Sequence, residues 1–332
     1  MKYGFRIAAC ARVPQAALRW CFAAPAVKMP RLSMQAHALE ITGSLCALAT
    51  PFTARGALDL DAFVRLLDHQ LEGGTQGLVV AGSTGEAHML GELEYERLLA
   101  LTLEHVDGRV PVIAGTGEAA TSKTIALTKR AHALGAQAAL VVTPYYVRPT
   151  QEGLRRHFRE VAEQGGLPVI LYNVPTRTGC DLLPETVAEL RDDPRIIGIK
   201  EARNDIERIR SVAQLARPGF VFLSGDDATC AEAMLHGAAG VISVANNLVP
   251  AAFRALCDTA RSGDRAKAAA QMRALQPLLD TLNCAPNPIA VKAGLAELGL
   301  CHGTVRLPLV ELEAGPARAH LREVLLPLAH AA

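Results

Sequence analysis

Aromatic side chains are scarce in this chain, at 4% of 332 residues, and tryptophan occurs once. Any large core must therefore be built from Ala, Val, Leu and Ile, which the 50% hydrophobic content can supply. Charge of one sign is not in excess: 34 Lys and Arg against 33 Asp and Glu leave a formal net charge of +1. Such a chain has no field to gather polyanions, which excludes nucleic acid as the expected partner. Apolar runs long enough to cross a bilayer are missing, so no membrane span is expected. The eight cysteines, Cys10, Cys21, Cys46, Cys180, Cys230, Cys257, Cys284 and Cys301, are scattered and form no C-x-x-C pair. They read as reduced, mostly buried thiols rather than a disulfide framework or a zinc site. These absences together point to a soluble, cytoplasmic protein.

Acidic residues are also missing from the first stretch. Met1 to Leu39 carries six Lys or Arg, and the first acid is Glu40. Three readings compete: an organelle-targeting peptide, a secretory signal, or an upstream extension with Met29 or Met34 as the true start. Arg19 interrupts the apolar run that a secretory signal needs. Residues 1–40 are therefore set apart as a disordered or processed extension, and organelle targeting stands as the alternative to the cytoplasm.

From Ser44 onward a rhythm appears. Near-continuous apolar runs recur at Leu45–Ala49, Gly77–Ala81, Val110–Ala114, Ala138–Val142, Val169–Tyr172, Ile196–Ile199, Phe220–Leu223 and Gly240–Val244. Such runs suit parallel strands covered on both faces. Amphipathic stretches lie between them; Leu60, Phe63, Leu67 and Leu71 form one stripe, and Glu94–Val106 and Thr186–Leu190 behave alike. Asp59 and Thr121 stand where helix caps are expected, and Pro184-Glu185 where a first turn tolerates proline. Eight strand–helix units without a linker predict an α/β fold, a (β/α)8 TIM barrel over residues 41–263. Residues 264–332 are expected to add two or three C-terminal helices.

In such a barrel, chemistry gathers at the carboxyl ends of the strands. Those ends carry Thr50, Gly82-Ser83-Thr84-Gly85-Glu86, Thr143-Pro144-Tyr145-Tyr146, Tyr172-Asn173, Lys200-Glu201, Ser224-Gly225-Asp226 and Ser243. Lys200 is the sharpest of them. Of seven lysines, set against 27 arginines, it alone follows a buried strand, Ile196 to Ile199. Burial disfavours an ammonium and leaves a free amine that can attack a ketone and form an imine. The competing reading is a strand-end lysine paired with Glu201 or a phosphate. Tyr172 ends the neighbouring strand, where a phenol can shuttle protons; it could equally be a packed tyrosine. The Gly82–Glu86 loop lacks the lysine of a phosphate loop, and suits a carboxylate held by two N–H groups and two hydroxyls at a helix start. Arg177 offers an anion fork one turn beyond Tyr172, or is simply a solvated loop arginine. Asp226 and Asp227 read as helix caps rather than metal ligands, and His69 and His88 lack ligand partners. No metal and no cofactor are expected.

The stretches Gly82–Glu86, Thr143–Tyr146, Tyr172–Pro175 and Ile199–Ala202 resemble the class I pyruvate-dependent aldolase and lyase superfamily. Arg177-Thr178-Gly179, Leu223–Asp227 and Pro286–Ile289 narrow the resemblance to the dihydrodipicolinate synthases. It runs from about Gly43 through the last strand and into the C-terminal helices. The resemblance implies pyruvate held as an imine on Lys200, and an enamine that attacks aspartate semialdehyde in lysine and diaminopimelate synthesis. It implies Tyr172 as the proton relay, Ser83 and Thr84 as a hydroxyl pair holding the pyruvate carboxylate, and Tyr146 as a tyrosine reaching a neighbouring subunit. It further implies Arg177 as the receiver of the semialdehyde carboxylate, pocket-lining backbone at Gly225 and Ile242, and a homotetramer of tight dimers. Two departures stand out. Ser83 replaces the usual threonine and is more typical of the N-acetylneuraminate lyase branch. Ala119, Lys123 and Glu92 occupy positions where lysine-sensitive members carry asparagine, glutamate and histidine, which implies insensitivity to lysine. The alternatives are a sugar-acid aldolase of the superfamily (an N-acetylneuraminate lyase or a 2-keto-3-deoxy sugar acid aldolase) and a ligand-binding barrel without chemistry.

Overall fold

The computed structural model describes residues 39–330; the expectations for the N-terminal extension lie outside them, apart from its last two residues. Eight parallel strands close into a barrel: β1 Gly43–Ala47, β2 Gly77–Val80, β3 Val112–Gly115, β4 Ala138–Val142, β5 Val169–Asn173, β6 Ile196–Glu201, β7 Val221–Ser224 and β8 Gly240–Ser243. Each strand pairs with its neighbours in sequence, and β1 closes on β8 with Gly43 opposite Gly240. That closure needs a bare backbone: a Cβ on Gly240 would lie 2.1 Å from the carbonyl oxygen of Gly43.

Alternation along the strands divides the core in two. One cluster fills the barrel and includes Leu45, Val79, Ile113, Leu140, Ile170, Tyr172, Leu223 and Ile242. The other lies between strands and helices and includes Cys46, Leu78, Leu171, Ile199, Phe158, Phe220 and Phe253. Within the first helix, Leu60–Glu72, Phe63 and Leu67 are buried as the stripe predicts, joined by Ala62, Leu66 and Gln70. Asp59 caps it by accepting from the N–H of Ala62 at 3.0 Å. Thr121 does not cap. It is the first residue of the helix Thr121–Leu134, and its hydroxyl meets Nδ1 of His157 at 3.0 Å.

Beyond the helix Pro250–Arg261 come three more helices, Arg265–Leu282, Ile289–Glu297 and Pro316–His330. Leu275, Leu278, Leu321 and Leu325 carry the strand–helix core into them. The six cysteines from Cys46 onward are free thiols. Among the described residues no helix is long and apolar enough to cross a membrane.

Candidate active site

The register of β5 and β6 builds the centre of the site. Tyr172 lies opposite Lys200 in the ladder. Tyr172 belongs to the barrel-interior cluster, so the lysine level with it faces the same interior. Both are buried, with 4% of Lys200 and 8% of Tyr172 exposed. The lysine Nζ stands 4.5 Å from the centroid of the tyrosine ring. Glu201, the rival partner on sequence grounds, turns the other way. Its carboxylate accepts from Asn173 Nδ2 at 3.0 and 3.1 Å and from the N–H of Arg203 at 2.9 Å. Lys200 is thus held against an aromatic face rather than in an ion pair with its neighbour.

Gly225 follows β7 and brings its backbone against this lysine; a Cβ there would lie 2.9 Å from Lys200 Cε. Ile242 packs into the same interior from β8. Asp226 accepts from the N–H and the hydroxyl of Thr229 at 3.0 and 2.7 Å, as a turn cap does. Asp227 is no cap: it accepts from the N–H groups of Val244 and Ala245, at 3.1 and 2.8 Å, and so braces the end of β8.

The loop after β2 presents the hydroxyl pair. Ala81 and Glu86 have φ of +53° and +54°, so the loop is bent through left-handed residues at both ends. The N–H groups of Gly85, Glu86 and Ala87 bond within the loop, to Gly82, Ser83 and Gly82 carbonyls. The loop leads into a single 3-10 turn, Ala87–Met89, and not into the α-helix start expected from the sequence. Its geometry is set from outside instead. Thr50 donates its hydroxyl to the Gly85 carbonyl at 2.6 Å. Glu86 is fully buried and accepts from Lys292 Nζ at 2.6 Å and from the N–H of Arg306 at 2.9 Å.

Two adjoining cavities meet at Ser83. One is lined by Ser83, Tyr172, Tyr95 and Glu118, the other by Ser83, Arg177, Tyr145 and Asn287. The second has a volume of about 250 Å³, room for a small acid or aldehyde. Lys200, Tyr146, Thr84, Gly225 and Ile242 border neither. Arg177 is exposed on the short helix Pro175–Thr178, and one of its guanidinium nitrogens donates to the carbonyl of Asn287 at 3.2 Å. Tyr146 is 91% exposed with φ of +70°, so its ring leaves the mouth of its own barrel. Its neighbour Tyr145 takes the inward place, donating to Glu118 at 2.8 Å; burial pushes its phenol up to about 12.

Three participants make contacts that the sequence does not reveal. Asn287 donates from Nδ2 to the Thr84 hydroxyl at 3.0 Å, while its Oδ1 is buried without a partner. Lys292 was passed over as a helical lysine, yet it is wholly buried and also lies 4.1 Å from the Phe52 ring. Asn173 was read only as the neighbour of Tyr172. The Pro286–Ile289 stretch that carries the resemblance contains Asn287, but nothing in it names Thr84 as the partner.

The model of the dihydrodipicolinate synthetase family matches residues 40–325. The chain belongs to that family. A 4-hydroxy-tetrahydrodipicolinate synthase from Xanthomonas axonopodis pv. citri is 60% identical over 276 residues, covering 83% of this chain and 91% of the relative. Among solved structures, a dihydrodipicolinate synthase from Acinetobacter baumannii complexed with pyruvate superposes with a TM-score of 0.85 at 41% identity. That match covers 88% of this chain and 99% of the other. A monomeric dihydrodipicolinate synthase variant gives a TM-score of 0.84 at 42% identity, covering 87% and 97%. The barrel with its extra C-terminal helices is therefore the fold of the family.

Proposed function

We propose that this chain is a 4-hydroxy-tetrahydrodipicolinate synthase that condenses pyruvate with aspartate semialdehyde through a Schiff base on Lys200. The Lys200 amine attacks C2 of pyruvate, and loss of water from the carbinolamine gives the imine. Loss of a proton from C3 gives an enamine, whose C3 bonds to the aldehyde carbon of the second substrate. The amino group of that substrate then attacks C2, closes the ring and expels Lys200. One water leaves overall, and the product feeds lysine and diaminopimelate synthesis.

The burial of Lys200 against Tyr172 is the observation that carries this reading. A phenol beside the amine can pass the protons that carbinolamine formation and dehydration require. Ser83 joins the cavity of Tyr172 to that of Arg177, which suits a hydroxyl relay between the two substrates. Thr84, buried and oriented by Asn287, holds the pyruvate carboxylate. Arg177 at the rim receives the carboxylate of the semialdehyde by a charge-assisted pair. Gly225, against the Lys200 stem, and Ile242, in the barrel interior, shape the surroundings of the lysine. The sugar-acid alternative gives way to the synthase on the 60% identity to a protein of that name.

Tyr146, exposed and held in a left-handed conformation, is the side chain that a second copy would receive. On that basis a second copy pairs with this one, and the family resemblance extends the pair to a homotetramer of tight dimers, to be checked by sedimentation. The test of the chemistry is borohydride reduction with pyruvate, followed by mass mapping. A three-carbon adduct on Lys200 is expected, absent in Lys200→Ala. An intact wild type that gains no adduct would overturn the proposal.

A further inference from the structure

The register that sets Tyr172 opposite Lys200 sets the next residues, Asn173 and Glu201, opposite each other. Alternation turns these two side chains out of the barrel, into the layer behind the mouth. The Glu201 side chain has no solvent exposure there. Asn173 Nδ2 lies 3.0 and 3.1 Å from the two Glu201 oxygens and 2.7 Å from Oδ1 of Asp181. Its own Oδ1 accepts from the N–H of Leu182 at 2.9 Å. Arg208 is 6% exposed, pairs with Asp181, donates to the Leu182 carbonyl at 3.1 Å, and stands 3.8 Å from Glu201. Arg203 reaches Asp181 at 2.9 Å, and its N–H donates to Glu201. A single amide therefore ties β5, β6 and the Asp181–Leu182 segment together. It does so at the ladder step directly beyond Lys200 and Tyr172.

We propose that Asn173 and Glu201 are positioning residues that lock the ends of β5 and β6, and so hold Lys200 and Tyr172 at the separation imine formation needs. The proposal rests on the Schiff-base reading above. Its physical basis is that these are the last paired residues of β5 and β6, past which only the backbone bonds from Ala202 to Asn173 and from Gly225 to Glu201 continue the sheet. Burying the Glu201 carboxylate and half-burying Asp181 is a costly way to stabilise a fold, since well-packed apolar side chains often do as well or better. What a hydrogen-bonded cluster adds is direction. Asn173, Asp181, Arg203 and Arg208 are the polar and charged groups that face Glu201; burial pushes its carboxyl up to about 7 against Arg203, Asn173 and Arg208, and the Asp181 charge adds to the rise. The strength of the clasp should therefore vary across neutral pH, because only the carboxylate form accepts at both oxygens.

The test uses the full chain and the rate of borohydride-trapped pyruvate adduct. Asn173→Leu removes the amide at similar volume; in variant that unfolds cooperatively, trapping should slow by about tenfold or more, given that misplacement by ~1 Å costs up to ~100-fold. Glu201→Gln keeps an oxygen for Asn173 but cannot titrate. Its trapping rate relative to wild type should rise as pH falls from about 8 to about 6, because the wild-type clasp alone weakens there. This second readout stands if Asn173→Leu fails to fold. A folded Asn173→Leu that traps at the wild-type rate overturns the proposal, and so does a Glu201→Gln ratio constant across that range. A wild type that traps nothing removes the Schiff-base reading as well, so the two failures are told apart.

Discussion

Replacing Gly225 by alanine would show how tightly the barrel mouth is drawn around Lys200. The new Cβ would lie 2.9 Å from Lys200 Cε, 3.0 Å from Ala202 Cβ and 3.1 Å from Ala202 Cα. Carbon atoms rest at ~3.5–4.0 Å, so the gap to the lysine must open by roughly 0.6–1.1 Å. The backbone on either side has little freedom to yield. The N–H of Gly225 donates to the Glu201 carbonyl at 2.7 Å, and the N–H of Ala202 to the Asn173 carbonyl at 2.9 Å. The displacement therefore falls on the lysine stem, which carries the nucleophile. Overpacking of this kind costs about 1–3 kcal/mol of stability. A reacting atom misplaced by ~1 Å costs up to ~100-fold in rate. Gly225→Ala should fold, unfold a few degrees earlier, and trap pyruvate on Lys200 about 10- to 100-fold more slowly. Timed borohydride quenching with mass detection, beside thermal unfolding, reads both numbers. A variant with the wild-type midpoint and a trapping rate within about twofold would refute the steric reasoning.

Tyr172→Phe keeps the ring beside Nζ and removes only the hydroxyl; turnover should fall by at least ~100-fold while pyruvate affinity changes little. A proportionate rise in KM with kcat unchanged would mean the phenol merely packs. Millimolar lysine should leave initial rates unaltered, because Lys123 would repel the ammonium of a bound lysine, and clear inhibition would sink this expectation. His157 is buried, and burial pushes its imidazole down to about 4. Its neutral form therefore contributes stability above the unfolded value near 6.5, lost as pH falls toward 4, about 3 kcal/mol in all. His157→Gln should flatten the acid limb of the stability curve, and an unchanged slope in chemical unfolding between those pH values would contradict it.

All eight strands were legible because buried parallel strands leave a strong apolar signature, and Ala138–Val142 coincides with β4 to the residue. Several strands run past their apolar stretches, and for one reason. Apolarity marks where a strand is greasy, whereas the ladder continues through whatever residue keeps its hydrogen bonds. Thus β1 begins at Gly43 rather than Leu45, because Gly43 and Ser44 pair with Gly240 and Val241. Likewise β6 runs on through Lys200 and Glu201, and β5 through Asn173. The residues that appear as strand ends in the sequence are inside the sheet, which is what gives them a fixed register. Lys200 and Tyr172 were found because each follows a strand in sequence. The pairings of Asn287 and Lys292 were not legible, because their partners Thr84 and Glu86 lie more than 200 positions away, at separations of 203 and 206. No periodicity reaches that far.

Burial by itself does not mark the nucleophile, as the two buried lysines make plain. Lys292, with no exposure, is more buried than Lys200 at 4%. Its ammonium is 2.6 Å from a Glu86 carboxylate that is equally buried, and breaking that pair would leave an uncompensated charge in the interior. Burial pulls the Lys292 ammonium below its usual range and Glu86 opposes that pull, but the short bond to the carboxylate occupies Nζ and keeps it from a ketone. Lys200 has the opposite arrangement: the neighbouring carboxylate is claimed by Asn173 and Arg203, and the amine meets the face of a tyrosine. Reductive trapping should consequently place pyruvate on Lys200 and leave Lys292 unmodified at the same exposure to reagent. Peptide mapping that found comparable adducts on both would show that seclusion alone, and not the missing counter-charge, selects the reactive lysine.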